Sequence, residues 1–374
     1  MLSVESTGYL YLSIYAITTF LGFTCQRRIK DKFALNKKLF ITALFIHWFF
    51  LTFTNTGSDY YNYYRQINDA SFAYIADDPE ILFELICYIC KSVFGNPDVG
   101  IFFIKSLTVY LFYTALYQVS DKIKIGFAIL AYNALMYLQG MLVIAQHLAV
   151  VLLLLGLILL VKDKKVLSTA CLLSACLVHA SAFIVCLMYP IYYIFAYMNK
   201  LLPKWALGGM LVVPIVVLRY VDTILMFALV SYGIFEHYEN YDLISNYEGS
   251  GLMQYLFFVP IFVIIYRIYV GANFDNNFKN IAVLTFAFAF ICALVGYKIE
   301  VFSRMNVEFL GLYAIIVPLY FSPFSNTIKS KKIKIWSLVW FFYLVLRGYF
   351  VFVTNMNTDA GGQLYNYNFF NPFL

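Results

Sequence analysis

The feature that most constrains this chain is a succession of apolar runs, most of them close to the ~20 residues a helix needs to cross a bilayer. They fall at 9–25, 38–54, 101–119, 125–140, 142–161, 166–180, 182–198, 205–219, 252–270, 281–297, 307–321 and 335–353. In hydrocarbon every backbone polar group must be bonded internally, so each run is expected to be a helix. Composition leaves little alternative. The chain is 63% apolar and 12% charged with a mean hydropathy of +0.78, whereas an average soluble domain carries about 25% charged residues. No polar stretch is long enough to fold alone; the longest runs from Gly57 to Pro79. The expectation is an all-α polytopic membrane protein, a single integral membrane domain over 1–374 with about twelve transmembrane helices.

The apolar segment 80–94 is different. It carries Glu80, Glu84 and Lys91 at helical spacing, the pattern of an amphipathic helix lying at the interface. Residues 220–234 are a second candidate of that kind. Both belong to the extracytoplasmic side once orientation is fixed by charge. With the N-terminus outside, the inner loops hold Arg27, Arg28, Lys30, Lys32, Lys37 and Lys38, then Lys122 and Lys124, then Lys162, Lys164 and Lys165. Lys200 and Lys204, Arg267 and Lys279, and Lys329, Lys331, Lys332 and Lys334 complete the set. That is most of the 26 basic residues, while only Asp31, Asp121, Asp163 and Asp275 of the 20 acidic ones lie there. Positive loops stay inside, so both termini are expected outside. A full crossing by 80–94 would invert every later loop.

The net charge of +6 sits in these short blocks, which read as orientation signals and not as a nucleic-acid surface. Cys25, Cys171, Cys176, Cys186 and Cys292 lie within apolar runs, and Cys87 and Cys90 form a C-x-x-C with no histidine or second pair nearby. All seven read as packing cysteines. No tight metal-ligand spacing occurs, so neither a metal nor a cofactor is expected. Met1 to Gly8 lacks a basic stretch, and Tyr9 to Cys25 reads as the first span, not a cleaved leader.

The distinctive polar residues gather in the outer segments. After the second run comes Gly57-Ser-Asp-Tyr-Tyr-Asn-Tyr-Tyr64, followed by Arg65. Aromatic faces such as Tyr60, Tyr63 and Tyr64 stack on the C–H faces of sugars, while Asp59 and Arg65 suit hydroxyls and phosphate; an interfacial aromatic belt is the plainer alternative. Gln146 and His147 open the fifth run, and His179-Ala-Ser181 closes the sixth. A histidine near a membrane boundary serves as base, acid or phosphate ligand near neutral pH, whereas His47 lies inside a run and reads as structural. Arg219 begins the most acidic outer stretch, where an arginine near the membrane must snorkel or find an anion. Glu300, Arg304 and Glu308 share one helical face at four-residue spacing.

Taken in order, these segments resemble the EpsG family, the Wzy-like exopolysaccharide polymerases. The family's G-x-D-Y-x-x-Y is similar to the block from Gly57, and its acidic residue in the next helix falls on Glu80 or Glu84, of which Glu84 is placed with the substrate-binding set. Its R-Q-x-x-A resembles Ala145-Gln-His-Leu-Ala149, and its H-x-S-A resembles His179-Ala-Ser-Ala182. Its R-x-x-x-Y-F resembles Arg304-Met-Asn-Val-Glu-Phe309, and its aromatic tail resembles Tyr365 to Phe373. The likeness spans nearly the whole chain through motifs that are individually short. Two positions depart: Ala145 stands where the family has arginine, and Glu308 where it has tyrosine. If that arginine meets the carrier pyrophosphate, another cation replaces it here, with His147, Arg219 and Arg304 as candidates.

The resemblance implies an enzyme of the bacterial plasma membrane that joins oligosaccharide repeats carried on polyprenyl pyrophosphate at the outer leaflet. Asp59 and His179 would serve as bases and Arg304 as a cation on the leaving group, making these the catalytic candidates. Tyr60, Tyr63, Tyr64, Arg65, Glu84, Gln146, His147 and Arg219 would bind substrate. The implied partners are the lipid-linked oligosaccharide, membrane lipid, a flippase and a chain-length regulator. A flippase is the rival reading, but it should place its charges deep inside the spans, where Lys105 and Arg347 are the main ones. A transferase adding a single sugar from a monosaccharide carrier shares the geometry of an outer acid and outer arginines.

Overall fold

Apolar sequence becomes helix almost throughout, because a helix bonds its own backbone when water is absent. The computed structural model describes residues 2–29, 32–75, 78–198, 200–205, 208–209, 212, 251–271, 274–296, 300–320, 331–356 and 364–373. In chain order the helices are α1 (Val4–Thr24), α2 (Lys37–Thr52), α3 (Tyr60–Asp69), α4 (Ile81–Phe94), α5 (Pro97–Gln118), α6 (Ile125–Tyr132) and α7 (Gln139–Leu142). Then come α8 (Ile144–Val161), α9 (Lys165–Val178), α10 (Phe183–Tyr197), α11 (Gly251–Val270), α12 (Asn276–Val295), α13 (Glu300–Tyr320) and α14 (Lys331–Met356). Every expected span falls on one of these except 205–219, which lies mostly outside the described residues, as does 220–234. By length and composition together, 5 helices among the described residues are able to cross a membrane: Pro97–Gln118, Ile144–Val161, Ala180–Tyr197, Asn276–Val295 and Ile335–Thr354. The helical class therefore holds, while a count of twelve spans is not established.

The ends of the helices are written in the sequence. Ser3, Asn36 and Asn96 cap α1, α2 and α5 with side-chain oxygens that accept from Ser6, Lys38 and Asp98 N–H groups, and Pro97 takes the first turn of α5. Such caps satisfy amide donors that the first turn leaves open. One element departs from an all-helical reading. Gln26–Ile29 (β1) and Lys32–Leu35 (β2) form an antiparallel two-stranded ribbon, Gln26 opposite Leu35 and Ile29 opposite Lys32.

The chain packs as two compact units, Met1–Phe183 with Gly311–Leu374, and Ile184–Leu310. In the first, α8 is buried along nearly its whole length and lies between α5 and α9. Gly22 of α1 meets Gly126 of α6, where a Cβ would collide with Ile129 on one side and the Phe23 ring on the other. The backbone widens to a π-helical turn over Asn133–Tyr137, a feature often found where a helix must present a particular side chain. Here it presents Asn133, which is 1% exposed. Its amide oxygen meets His47 Nε2 at 2.8 Å, and its amide nitrogen donates to Thr18 Oγ1 at 2.9 Å and Thr19 Oγ1 at 3.2 Å. The Tyr113 hydroxyl meets His47 Nδ1 at 2.8 Å. With the Asn133 nitrogen committed to threonines, its oxygen accepts from Nε2–H, and Nδ1 accepts from Tyr113. His47 is thus structural, a neutral imidazole tying α1, α2, α5 and the π turn together.

This unit has two chemically distinct ends. At one, the β1–β2 ribbon meets the α5–α6 turn: Phe33 N–H donates to the Asp121 carbonyl at 3.2 Å, and Gln26 Nε2 donates to the Ser120 and Ile123 carbonyls at 2.6 and 2.9 Å. Lys162 Nζ reaches Gln118 Oε1 at 3.4 Å. The loops that carry Arg27, Arg28, Lys122, Lys124, Lys162 and Lys164 therefore share this end. At the other, the tail laces the helices. Tyr367 accepts from Leu2 N–H at 2.8 Å and its hydroxyl donates to the Phe50 carbonyl at 2.7 Å. Asn368 N–H donates to Thr56 Oγ1 at 2.9 Å, and Phe369 bridges Thr54. Asn96 Nδ2 donates to the Pro372 carbonyl at 3.4 Å.

In the second unit α11 packs on α12 through Phe258, Phe286 and Phe290. Asn280, fully buried, donates to the Lys200 carbonyl and accepts from Leu202 N–H, both at 2.9 Å, which fastens the segment after α10.

Asn133→Ala should lower the stability of the detergent-solubilised protein by about 2 kcal/mol, since it strands the His47 Nε2–H donor and takes from the threonine hydroxyls the amide they accept from. Thermal unfolding reads this directly; an unchanged midpoint would remove the network from the account.

Candidate acid–base site

The site forms where α9 stops. His179 takes an extended conformation, φ −152° and ψ 124°, and Ala180–Ala182 makes a single 3-10 turn before α10. A break of this kind leaves backbone donors open. The carboxylate of Glu80 fills the gap. Its Oε1 accepts from Ala180 N–H at 2.9 Å and stands 2.6 Å from His179 Nδ1. The 2.6 Å approach is an ion-pair contact and not an aligned hydrogen bond; a carboxylate this close favours the hydrogen on Nδ1, which leaves Nε2 as the acceptor nitrogen. The His179 and Glu80 side chains are 29% and 21% exposed, so the pair is sheltered but not sealed off.

Glu80 is the N-cap residue of α4, and its own N–H donates to Asp78 Oδ1 at 2.7 Å. Both ends of α4 stay at the laced end of the unit: Glu80 bonds Ala180, while Asn96, just past its C-terminus, bonds the tail. A helix of 14 residues rises about 21 Å, short of the ~30 Å hydrocarbon thickness. Segment 80–94 is thus a short helix held by both ends at this end of the unit. Its Cys87 and Cys90 are buried; desolvation pushes the Cys87 thiol up and the Cys90 thiol to about 11, which suits packing and not thiolate chemistry.

The α3 block supplies the adjoining wall. Tyr60, Tyr63 and Ile67 share its inward face, and Arg65 is exposed. The Tyr60 hydroxyl donates to Asp98 Oδ1 at 2.7 Å. Tyr63 packs edge-on against Phe83, and its hydroxyl accepts from Ala145 N–H at 3.4 Å. Desolvation pushes the Tyr63 phenol up, and the negative charges of Asp59 and Glu80 push it further, against the pull of the Ala145 N–H. That phenol is therefore neutral at physiological pH and lies within electrostatic reach of both carboxylates. Burial and the Asp98 hydrogen bond likewise push Tyr60 up. Asp59 is half-buried and takes a 3.4 Å hydrogen bond from Ser58.

Next along, Gln146 Nε2 donates to Ser181 Oγ at 3.4 Å, which joins the start of α8 to the α9–α10 break. His147 is 3% exposed, stacked on Tyr132 with centroids 5.6 Å apart. Gly140 makes room for it, because a Cβ there would fall on the imidazole ring. Of the residues singled out from the sequence, Asp59, Tyr63, Gln146 and His179 thus come together in one layer. Tyr64 is half-buried beside them on α3. Glu84 receives a 2.5 Å hydrogen bond from Gln66, so of the two acidic candidates it is Glu80 that meets the histidine. Arg219 and the side chain of Arg304 lie outside the described residues; the backbone of Arg304 is in α13. Asp98 and Lys105 entered no sequence-based site, having no motif around them. Among the described residues no group of three or more His, Cys, Asp and Glu side chains is placed to hold a metal ion.

Long apolar helices with a polar layer concentrated at one end define a polytopic helical membrane protein. The chain belongs to the EpsG family, whose model matches residues 37–369 and so takes in the whole layer. No curated protein and no solved structure matches it.

Gly140→Ala should destabilise the protein by about 1–3 kcal/mol, the cost of overpacking. In a His147→Ala background that cost should vanish. Additive losses in a double-mutant thermal-unfolding cycle would contradict the packing described.

Proposed function

We propose that this protein polymerises polyprenyl-pyrophosphate-linked oligosaccharide repeats on the extracytoplasmic face of a bacterial plasma membrane, as a Wzy-like membrane glycosyltransferase. Membership of the EpsG family supports the class of activity. The observation that carries the chemistry is the Glu80–His179 pair, set among tyrosines at the end of the unit opposite the basic loops.

In this reading the hydroxyl of one saccharide attacks the anomeric carbon of another. The bond from that carbon to the pyrophosphate oxygen breaks, and polyprenyl pyrophosphate leaves. His179 Nε2 takes the hydroxyl proton, while Glu80 fixes the tautomer and stabilises the imidazolium that results. Asp59, next to the neutral Tyr63 phenol, positions sugar hydroxyls, and Tyr60 and Tyr64 supply aromatic walls. Arg65, Arg304 and Arg219 are the arginines available to the leaving group. A flippase would deliver the substrate, and a chain-length regulator would be a partner. The gathering of acid, base and amide groups in one layer favours a transferase over a flippase, which needs charges along a central path.

The test is made in the host. Deleting the chain should leave single lipid-linked repeat units on the outer leaflet, and a Glu80→Gln copy made at normal levels should restore polymer at a rate reduced by about 10²–10³-fold. Repeat units held on the inner leaflet would point to a flippase. Loss of one side-chain sugar with polymer intact would point to a single-sugar transferase.

A further inference from the structure

Lys105 is used by none of the steps above. It lies on α5 about 12 Å along the helix from Pro97 and is 1% exposed. An ammonium has three hydrogens to donate. One goes to the Thr54 carbonyl at 3.2 Å, and the group sits 5.3 Å over the Tyr60 ring. Among the described residues no carboxylate pairs with it. A carbonyl and a ring face are weak company for a buried charge, since desolvating an ion is costly without a counter-charge. Tyr60 spends its own hydroxyl on Asp98, so Asp98 is held to the tyrosine and not to the lysine.

His147 is on α8, which packs on α5. The imidazole is within electrostatic reach of Lys105, and its buried Nε2 has no hydrogen-bond partner. Buried polar nitrogens are ordinarily satisfied. The ring is nevertheless held with care, by the Tyr132 stack on one side and the Gly140 gap on the other. An ammonium without a counter-charge and an unpartnered imidazole nitrogen therefore lie within electrostatic reach of each other on packed helices, and His147 directly follows Ala145 and Gln146 of the layer in the chain. A chain this apolar gains nothing from such a pair unless something joins them. A phosphate ester supplies the missing negative charge and several acceptor oxygens at once.

We propose that Lys105 and His147 form a binding site for the pyrophosphate group of the lipid-linked substrate. The proposal rests on the functional reading given above and adds a site to it. Two sources share the chemistry, the headgroup on its polyprenyl chain and the free pyrophosphate ion.

The test uses purified full-length protein in detergent, titrated separately with polyprenyl pyrophosphate, inorganic pyrophosphate and glucuronate, with thermal unfolding and a binding isotherm as readouts. Polyprenyl pyrophosphate should raise the unfolding midpoint. Lys105→Met should bind it roughly ten- to a hundredfold more weakly, the loss of a hydrogen bond to a charged group. Without ligand, that variant should unfold at or above the wild-type temperature, because replacing a buried charge by an apolar chain of similar volume is neutral or stabilising. Should it fail to fold, His147→Phe, which keeps the stack on Tyr132, carries the same expectation for affinity. Stabilisation by inorganic pyrophosphate as well assigns recognition to the anion alone; stabilisation by the lipid form only assigns it to the headgroup on its chain. Affinity for pyrophosphate unchanged by either substitution, or a response to glucuronate alone, overturns the site. A protein that polymerises with Lys105-independent affinity keeps the functional reading and loses this one. A protein that binds pyrophosphate through Lys105 but fails the host test does the reverse.

Discussion

One carboxylate oxygen organises the polar end of the first unit. Glu80 Oε1 takes the N–H that the α9–α10 break leaves open and stands in ion-pair contact with His179 Nδ1. In doing so it anchors α4 across the end of the bundle and sets the basic nitrogen of the histidine. The first is a hydrogen bond, contributing about 1 kcal/mol net or somewhat more because its acceptor is charged; the second is a partly exposed ion pair, a contact of modest worth. Their convergence on one atom makes local backbone geometry, helix placement and tautomer depend on a single side chain. Ala145 N–H on Tyr63 and Gln146 on Ser181 extend the same logic sideways, joining α3, α8 and the break into one layer.

The remaining polar groups are divided by purpose. The His47–Asn133–Tyr113–Thr18 network is closed: every ring nitrogen and amide atom in it has a partner. Such a set specifies one helix arrangement in a core where apolar side chains are interchangeable. The tail does similar work at the bundle end, replacing loop–solvent hydrogen bonds with bonds to Thr54, Thr56 and the first residues of the chain. The Lys105–His147 pair is the contrast, an open set beside that closed network.

Much of this is legible in the sequence, for identifiable reasons. Helices announce themselves because hydrocarbon permits little else, and the Asn36, Asn96 and Pro97 caps mark their starts. That α4 is a helix with a polar stripe is legible because Glu80, Glu84 and Lys91 recur at helical spacing. The β1–β2 ribbon is not, since Gln26–Ile29 and Lys32–Leu35 are too short and too charged to carry an alternation signal. The choice between Glu80 and Glu84 is hidden as well: both lie on the same helix, and the deciding partner is brought in from the end of α9 by the fold. His147 reads from sequence as a substrate-binding candidate near the membrane boundary and proves buried, with Gly140 opening space for its ring. Lys105 looks like a stray mid-span charge until Thr54 and Tyr60 are seen to receive it.

The functional account depends on which side of the membrane the acid–base layer faces. Single cysteines placed at Ser58, Ser181, Ala34 and Lys164 in a protein otherwise free of cysteine, probed in intact cells with a membrane-impermeant thiol reagent, settle that most directly. The account predicts labelling at Ser58 and Ser181 and none at Ala34 or Lys164 until the membrane is opened. Labelling of Ala34 and Lys164 in intact cells, with Ser58 and Ser181 protected, would contradict it.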